Sequence, residues 1–235
     1  MKAVVLSAGL GTRLKPWTDH RPKVMIPVGG KPPLERHLER LRAAGIEDVF
    51  INLHHLPGII TGYFGNGERW GLRLHYVLET ELLGTAGAVK NLEEPLAGGP
   101  FLVVYGDNTL DLDYADFLRF GRANEALAVV AVFEKEDPAG SGIVEFSPDG
   151  RIYKFLEKPK PGASRSRWAN AGVYRFEPDL FKHLKPGFSD FGLDVFPLLL
   201  KRGECLLAYP FQGRLVAIDT PDLLRSATGP GGGSS

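Results

Sequence analysis

Cysteine is nearly absent from this chain. Among 235 residues there is one, Cys205, so no internal disulfide can form. That fits a reducing compartment. Cys205 stands in the apolar run Cys205-Leu206-Leu207-Ala208, where a buried, inert thiol is expected rather than a nucleophile. An excess of charge is also lacking. Lys+Arg and Asp+Glu are both 28, which gives a net charge of zero. There is no global basic field to hold nucleic acid, and nucleic acid is not expected as a partner. Long apolar runs are missing too, and none approaches the ~20 residues that a membrane helix needs. The first apolar run is short and soon followed by charged residues, so it does not read as a signal peptide. The expectation is a soluble, cytoplasmic protein with no membrane partner, long enough for one large domain or two small ones.

What is present is concentrated in residues 2–31, KAVVLSAGLGTRLKPWTDHRPKVMIPVGGK. Lys2 to Ser7 is a short apolar run with β-branched Val4 and Val5, which suits a strand buried on both faces. It breaks into Ala8-Gly9-Leu10-Gly11-Thr12-Arg13. Two glycines let the backbone turn sharply, and successive N–H groups can then converge on phosphate oxygens. Arg13 and Lys23 supply cations nearby; Arg grips two oxygens at once, whereas Lys acts as a point charge. A dinucleotide fingerprint is excluded, because its third glycine would fall at Leu14. A P-loop is excluded, because no Gly-Lys-Ser/Thr follows. Taken by itself, the loop is better read as an ordinary glycine-rich turn with solvated cations.

Further along, Pro33 to Ala44 reads as a helix, with Leu34, His37, Leu38 and Leu41 on one face and Gly45 as its stop. His37 on that stripe reads as a packed residue. Asp48–Asn52 and Leu72–Leu78 read as strands, with a helix over Leu56–Phe64 between them. This β-α-β-α-β order predicts a largely parallel sheet with helices on both faces, and ligands outside the carboxyl ends of its strands. Glu79-Thr-Glu-Leu-Leu-Gly84-Thr85-Ala-Gly-Ala leads from a strand end into a helix, a tight loop of the kind that closes over a ligand. A helix start capped by Thr85 explains the same residues. Phe101–Tyr105 is a fourth strand ending in Gly106-Asp107-Asn108. A carboxylate there is placed to hold Mg²⁺, which takes one or two carboxylates plus substrate phosphates; an Asx turn is the alternative. Asp111 and Asp113 read as solvated or as caps of a helix over Tyr114–Asn124. After a fifth strand, Leu127–Phe133, strand and turn alternate, and Asp149-Gly150 signals a hairpin. Asp190-Phe-Gly is not evidence of a kinase, since the other kinase signatures are missing.

The stretch SAGLGTRLKPWT…RPKVMIPVGGKP resembles the signature of sugar-1-phosphate nucleotidylyltransferases, the enzymes that make nucleotide-sugars. The resemblance runs to about Ala227, and its flavour is that of mannose-1-phosphate guanylyltransferases. It implies an α/β, Rossmann-like single domain over residues 1–227, with a mostly parallel mixed sheet flanked by helices and a smaller β-rich sugar-binding part. Residues 1–133 would form the nucleotide-binding half, 134–227 the sugar-phosphate-binding half and 228–235 a flexible tail. No hexapeptide repeat follows, so no left-handed β-helix domain is expected.

The resemblance also implies partners and residue roles. The partners would be a nucleoside triphosphate and a sugar-1-phosphate, with Mg²⁺ as cofactor; association into a homo-oligomer is left open. Ala8, Gly9, Gly11 and Thr12 would cradle the nucleotide, and Gly84 and Thr85 would lie against the nucleoside, with Glu79 nearby. Arg13 would bind the leaving pyrophosphate, and Lys23 would bridge the α-phosphate and the incoming phosphate. Asp107 and Asp219 would hold the metal. Glu157 would bind sugar hydroxyls and Lys158 the sugar phosphate, with Gly142 and Asn170 lining the sugar pocket. One departure stands out. With Thr220-Pro221 in register, the family's usual second carboxylate falls on Ala217, and Asp219 takes the place of a glycine. Some cytidylyltransferases place a carboxylate like Asp219. Guanylyl transfer to mannose-1-phosphate leads; thymidylyl, uridylyl or cytidylyl transfer to another hexose-1-phosphate is the alternative. A non-catalytic nucleotide-sugar-binding regulator is the reading outside enzymology, and the retained Arg13, Lys23, Asp107 and Lys158 argue against it.

Overall fold

A computed structural model describes residues 1–138, 140–218 and 220–228, with side chains up to Arg225. Asp219 and the tail beyond 228 lie outside the described residues. The chain divides into two compact units: Met1–Leu82, Val104–Asp111 and Arg214 onward in the first, Leu83–Val103 and Leu112–Gly213 in the second.

In the first unit β1 (Lys2–Leu6), β2 (Asp48–Leu53) and β3 (Arg73–Leu78) are parallel neighbours, with Lys2 opposite Asp48 and Val49 opposite Leu74. α1 (Pro33–Ala43) and α2 (Pro57–Phe64) make the crossovers. Ala3, Val4 and Val5 are fully buried, as an inner parallel strand requires. β3 instead alternates, with Leu74 inward and Arg73 and His75 outward against Asp48. The expected α1 stripe of Leu34, His37, Leu38 and Leu41 is buried, and Gly45 follows it in the left-handed region. β4 (Phe101–Tyr105) delivers its last two residues to this unit, followed by β5 (Asn108–Leu110). Leu14, Ile26, Val28, Ile218 and Leu224 form one apolar cluster. It fastens the segment after the glycine-rich loop to the C-terminal part of the chain.

The second unit holds α3 (Gly84–Lys90), α4 (Glu93–Leu96), α5 (Tyr114–Ala123) and strands β6 (Ala128–Glu134), β7 (Gly142–Phe146), β8 (Ile152–Glu157) and β9 (Trp168–Phe176). α6 (Phe196–Lys201) and β10 (Leu206–Pro210) follow. The strand order is β10-β6-β9-β4, with β6 parallel to β10 and antiparallel to β9. β7 and β8 form the hairpin that Asp149-Gly150 announced. The Asp113 carboxylate accepts from the N–H of Ala115 and Asp116, so of the two aspartates it is Asp113 that caps α5. Tyr174, Phe176, Phe191 and Phe196 are fully buried together, and the Phe176 and Phe191 rings stack with centroids 5.0 Å apart. The Asp-Phe-Gly phenylalanine is therefore a core anchor. Back in the first unit, β11 (Leu215–Ala217) pairs antiparallel with β5, and α7 (Pro221–Thr228) ends the described chain.

The fold is the expected α/β class, a mixed sheet with flanking helices. No helix among the described residues is long and apolar enough to cross a membrane. Two local expectations need correction. Cys205 is half-buried rather than buried, because it stands just before β10, where its carbonyl accepts from the N–H of Leu127. Thr85 does not cap α3: it is the second residue of the helix, and its hydroxyl is engaged elsewhere.

Candidate active site

In the first unit, the loop after β1 owes its shape to Gly11. Its φ is +62°, where a side chain is strained. A Cβ there would also stand 2.7 Å from Thr18 Cγ2 and 3.2 Å from Lys23 Cβ. The Gly11 carbonyl accepts from Leu14 N at 2.8 Å and from Thr18 Oγ1 at 3.0 Å. His55 Nε2–H donates to the Thr18 carbonyl at 2.6 Å. Ala8 is buried, whereas Gly9, Thr12 and Arg13 are exposed and face solvent from the loop.

The start of this loop is fixed from behind. Asn52, at the end of β2, accepts from Ser7 N at 2.7 Å through Oδ1 and donates to Glu79 Oε1 at 2.8 Å through Nδ2. All three residues are buried. Glu79 thus anchors the amide that holds the loop, and the backbone N–H of Glu79 donates to Leu53 O at 2.8 Å. Sequence reading missed Asn52; the only signal was a polar residue closing an apolar strand.

Lys23 lies in a short helical turn whose residues are all buried, and its ammonium pairs with the Asp107 carboxylate. Asp107 is brought there by the end of β4, where Gly106 N donates to Leu6 O at 2.9 Å. On the other side, His37 Nε2–H donates to the Asn108 carbonyl at 2.7 Å. Burial pushes the His37 pKa down to about 4, so the ring is neutral. A buried lysine held by a half-exposed carboxylate beside a glycine-rich turn is suited to receiving polyphosphate oxygens.

No group of three or more His, Cys, Asp and Glu gathers among the described residues. Mg²⁺ does not require one, since it is commonly bound through one or two carboxylates plus substrate phosphates. The Asp107 carboxylate is a hard oxygen donor of that kind. Asp219, the expected second ligand, is outside the described residues.

The second unit holds a different set. Glu157 ends β8, and its carboxylate sits between two glycines: a Cβ on Gly142 or Gly192 would stand 2.8 or 2.5 Å from Oε2. What a side chain at Gly142 would meet first is therefore Glu157, together with the Phe155 ring. Burial raises the Glu157 pKa above the usual carboxylate range; the Lys158 ammonium, 3.7 Å away, opposes this, and the Asp190 charge adds to it. Lys158 is exposed and has φ +44°, a left-handed conformation costing ~1–2 kcal/mol for a residue with a Cβ. Such strain is typical of residues clamped at ligand sites. Asn170 is engaged within β9, donating to the Tyr174 hydroxyl at 2.7 Å and accepting from Gly172 N at 3.0 Å.

Thr85 Oγ1 donates to Asp190 Oδ2 at 2.9 Å and accepts from Phe191 N at 2.8 Å. Asp190 Oδ1 in turn accepts from the N–H of Gly192 and Leu193 at 2.8 and 3.2 Å. Sequence reading assigned neither Asp190 nor Gly192. An N-cap pattern ahead of the helical run was the available signal for Asp190.

The α/β fold thus carries a glycine-rich turn at the carboxyl end of its first strand with a buried lysine paired to a carboxylate beside it, and in the second unit a carboxylate–lysine pair of its own, Glu157 and Lys158. The family model described as nucleotidyl transferase matches residues 2–215, and the chain belongs to that family. It is 35% identical over 217 residues to the UTP–glucose-1-phosphate uridylyltransferase of Synechocystis, a match covering 86% of this chain and 56% of that protein. It is 36% identical over 204 residues to the mannose-1-phosphate guanylyltransferase of Mycobacterium tuberculosis, with the same two coverages, 86% and 56%. Among solved structures, a putative glucose-1-phosphate thymidylyltransferase from Bacillus anthracis in complex with a sucrose superposes with a TM-score of 0.88 at 26% identity, covering 97% of this chain and 94% of that one. The chain spans little more than half the length of the two curated relatives.

Proposed function

We propose that this chain transfers a nucleotidyl group from a nucleoside triphosphate to a sugar-1-phosphate, giving a nucleotide-sugar and pyrophosphate. An oxygen of the sugar phosphate forms a bond to the α-phosphorus in line. The bond from that phosphorus to the β-phosphate oxygen breaks, and pyrophosphate leaves with the electron pair. The nucleophile is already an anion, so no general base is needed. The task is to bring negative charges together and to hold those that build on the leaving group.

The residue types answer that task. Ala8, Gly9, Gly11 and Thr12 cradle the triphosphate, and Arg13 takes the leaving pyrophosphate. Lys23 meets the α-phosphate and the incoming phosphate. Glu79 fixes the loop through Asn52, and Gly84 and Thr85 stand at the nucleoside. Lys158 anchors the sugar phosphate and Glu157 the hydroxyls, with Gly142 and Asn170 on the sugar side. Asp107 and Asp219 are the residues that would hold Mg²⁺, which when bound draws phosphate oxygens together and neutralises their charge. The observation that carries the reading is the buried Lys23 on Asp107 beside the Gly11 turn.

For the substrate pair we propose GTP and mannose-1-phosphate. Leu83-Gly-Thr-Ala-Gly, Ser189-Asp-Phe-Gly-Leu-Asp-Val-Phe-Pro and the mycobacterial relative support it. The Synechocystis relative and the Bacillus structure favour uridylyl or thymidylyl transfer to glucose-1-phosphate as the second reading. Pyrophosphate release with Mg²⁺, measured across a grid of nucleoside triphosphates and sugar-1-phosphates, tests both. One strong combination is expected, and it names the pair. Silence across the grid with nucleotide-sugar binding retained would instead identify a regulator.

A further inference from the structure

The start of α3 and the segment 189–191 are joined by five hydrogen bonds. Ala86 N and Gly87 N donate to Ser189 O at 2.9 and 3.2 Å, and Ser189 N donates to Leu83 O at 3.0 Å. The Thr85 hydroxyl adds two more, one donated to Asp190 and one accepted from Phe191 N. Carbonyls of Ser189 and Gly187 occupy the space that a Cβ on Gly84 or Gly87 would need, so these glycines let the two segments meet. The single Thr85 O–H is thereby committed to protein. It has no second proton to offer a nucleobase.

Asp190 carries the connection onward. Its Oδ2 accepts from the Thr85 hydroxyl, and its Oδ1 accepts from the Gly192 and Leu193 N–H groups. Gly192 is the surface on which the Glu157 carboxylate rests, so close that a Cβ would stand 2.5 Å from Oε2. A continuous chain therefore runs from Thr85 through Asp190 and Gly192 to Glu157.

We propose that Thr85 and Asp190 are positioning residues that latch the α3 loop to the Glu157 carboxylate, so that recognition of the sugar phosphate depends on a residue of the nucleotide loop. This deepens the proposed function and rests on it. Ordering Glu157 on the sugar also orders the start of α3, and linkage makes that effect reciprocal.

The test is Thr85→Val, a near-isosteric change that removes both hydroxyl bonds, beside Thr85→Ser, which keeps the oxygen. Steady-state pyrophosphate release should show the KM for sugar-1-phosphate raised about tenfold in Thr85→Val, the size of one hydrogen bond to a charged group. Thr85→Ser should bring it back toward the wild-type value. A residue touching only the nucleotide would move the triphosphate KM and leave the sugar KM alone. Should Thr85→Val fail to fold, Asp190→Asn is read in the same way. An unmoved sugar KM in a folded variant, with wild-type protein active, overturns the latch alone. A wild-type protein that turns over no substrate pair overturns the functional reading, and the latch's role in sugar recognition with it.

Discussion

Asp107→Asn separates the fold from the chemistry. Asparagine keeps the shape of the side chain and one acceptor oxygen, and loses the charge and the second acceptor. In the structure the carboxylate faces the Lys23 ammonium, with 30% of the Asp107 side chain exposed and 9% of the Lys23 side chain. Removing one partner of a fully buried pair costs ~3–5 kcal/mol. Partial exposure and the retained acceptor reduce this to ~1–2 kcal/mol. For a chain of this size that lowers Tm by about 2–8 °C. The chemistry should suffer more. Losing a group that stabilises developing phosphate charge costs ~100-fold or more in turnover, about 3 kcal/mol of barrier. The assay is pyrophosphate release at saturating substrates, with a thermal melt on the same preparation. A folded Asp107→Asn protein with near-wild-type turnover refutes the role given to this carboxylate.

Three further outcomes follow from the geometry. Gly192→Ala places a Cβ 2.5 Å from Glu157 Oε2 and 3.1 Å from its Cδ. The carboxylate must withdraw by about 1 Å, a misplacement worth ~100-fold in kcat/KM for the sugar phosphate. Because the displaced atom ends a flexible chain, stability should fall by only ~1 kcal/mol; an unchanged kcat/KM counts against Glu157 as a sugar ligand. Asn52→Leu takes the buried amide from both Ser7 N and Glu79, and should cost ~2–4 kcal/mol in urea unfolding; a negligible loss contradicts the anchoring role. His37 has a native pKa of about 4 against 6.5 when unfolded, so the unfolded chain binds more protons between these values. Stability should fall as pH drops through that window, by ~1.5 kcal/mol between pH 6.5 and 5, and level off below about 4. His37→Gln should flatten that limb of the urea-unfolding profile, and an unchanged slope places the effect elsewhere.

Local pattern was enough for most of the elements and for several details of packing. Val4 and Val5 announce a strand buried on both faces, and the Leu34-His37-Leu38-Leu41 stripe announces both a helix and a packed histidine. Asp149-Gly150 announces a hairpin. Gly11 announces a special turn, though not the Thr18 and Lys23 contacts that would crowd a side chain there. What stayed hidden depends on pairs far apart in sequence. The Asn52–Ser7 bond spans 45 residues and the Thr85–Asp190 bond spans 105. Thr85 at a helix start looks like a cap, because capping is the local use of a threonine hydroxyl; the tertiary partner wins instead. Cys205 misled for a similar reason, since an apolar run does not reveal that its first residue precedes the strand. The Glu157 shift also lay out of reach, since it depends on burial and on Asp190.

The most direct test of the central claim is the fate of the α-phosphorus. The protein is incubated with Mg²⁺, a sugar-1-phosphate and a nucleoside triphosphate labelled at the α-position, and the products are identified by mass. The account predicts label in a nucleoside-diphosphate sugar, with one pyrophosphate released per molecule formed. Release of labelled nucleoside diphosphate, with the γ-phosphate on the sugar or free as orthophosphate, would mean cleavage between the β- and γ-phosphates and would contradict it.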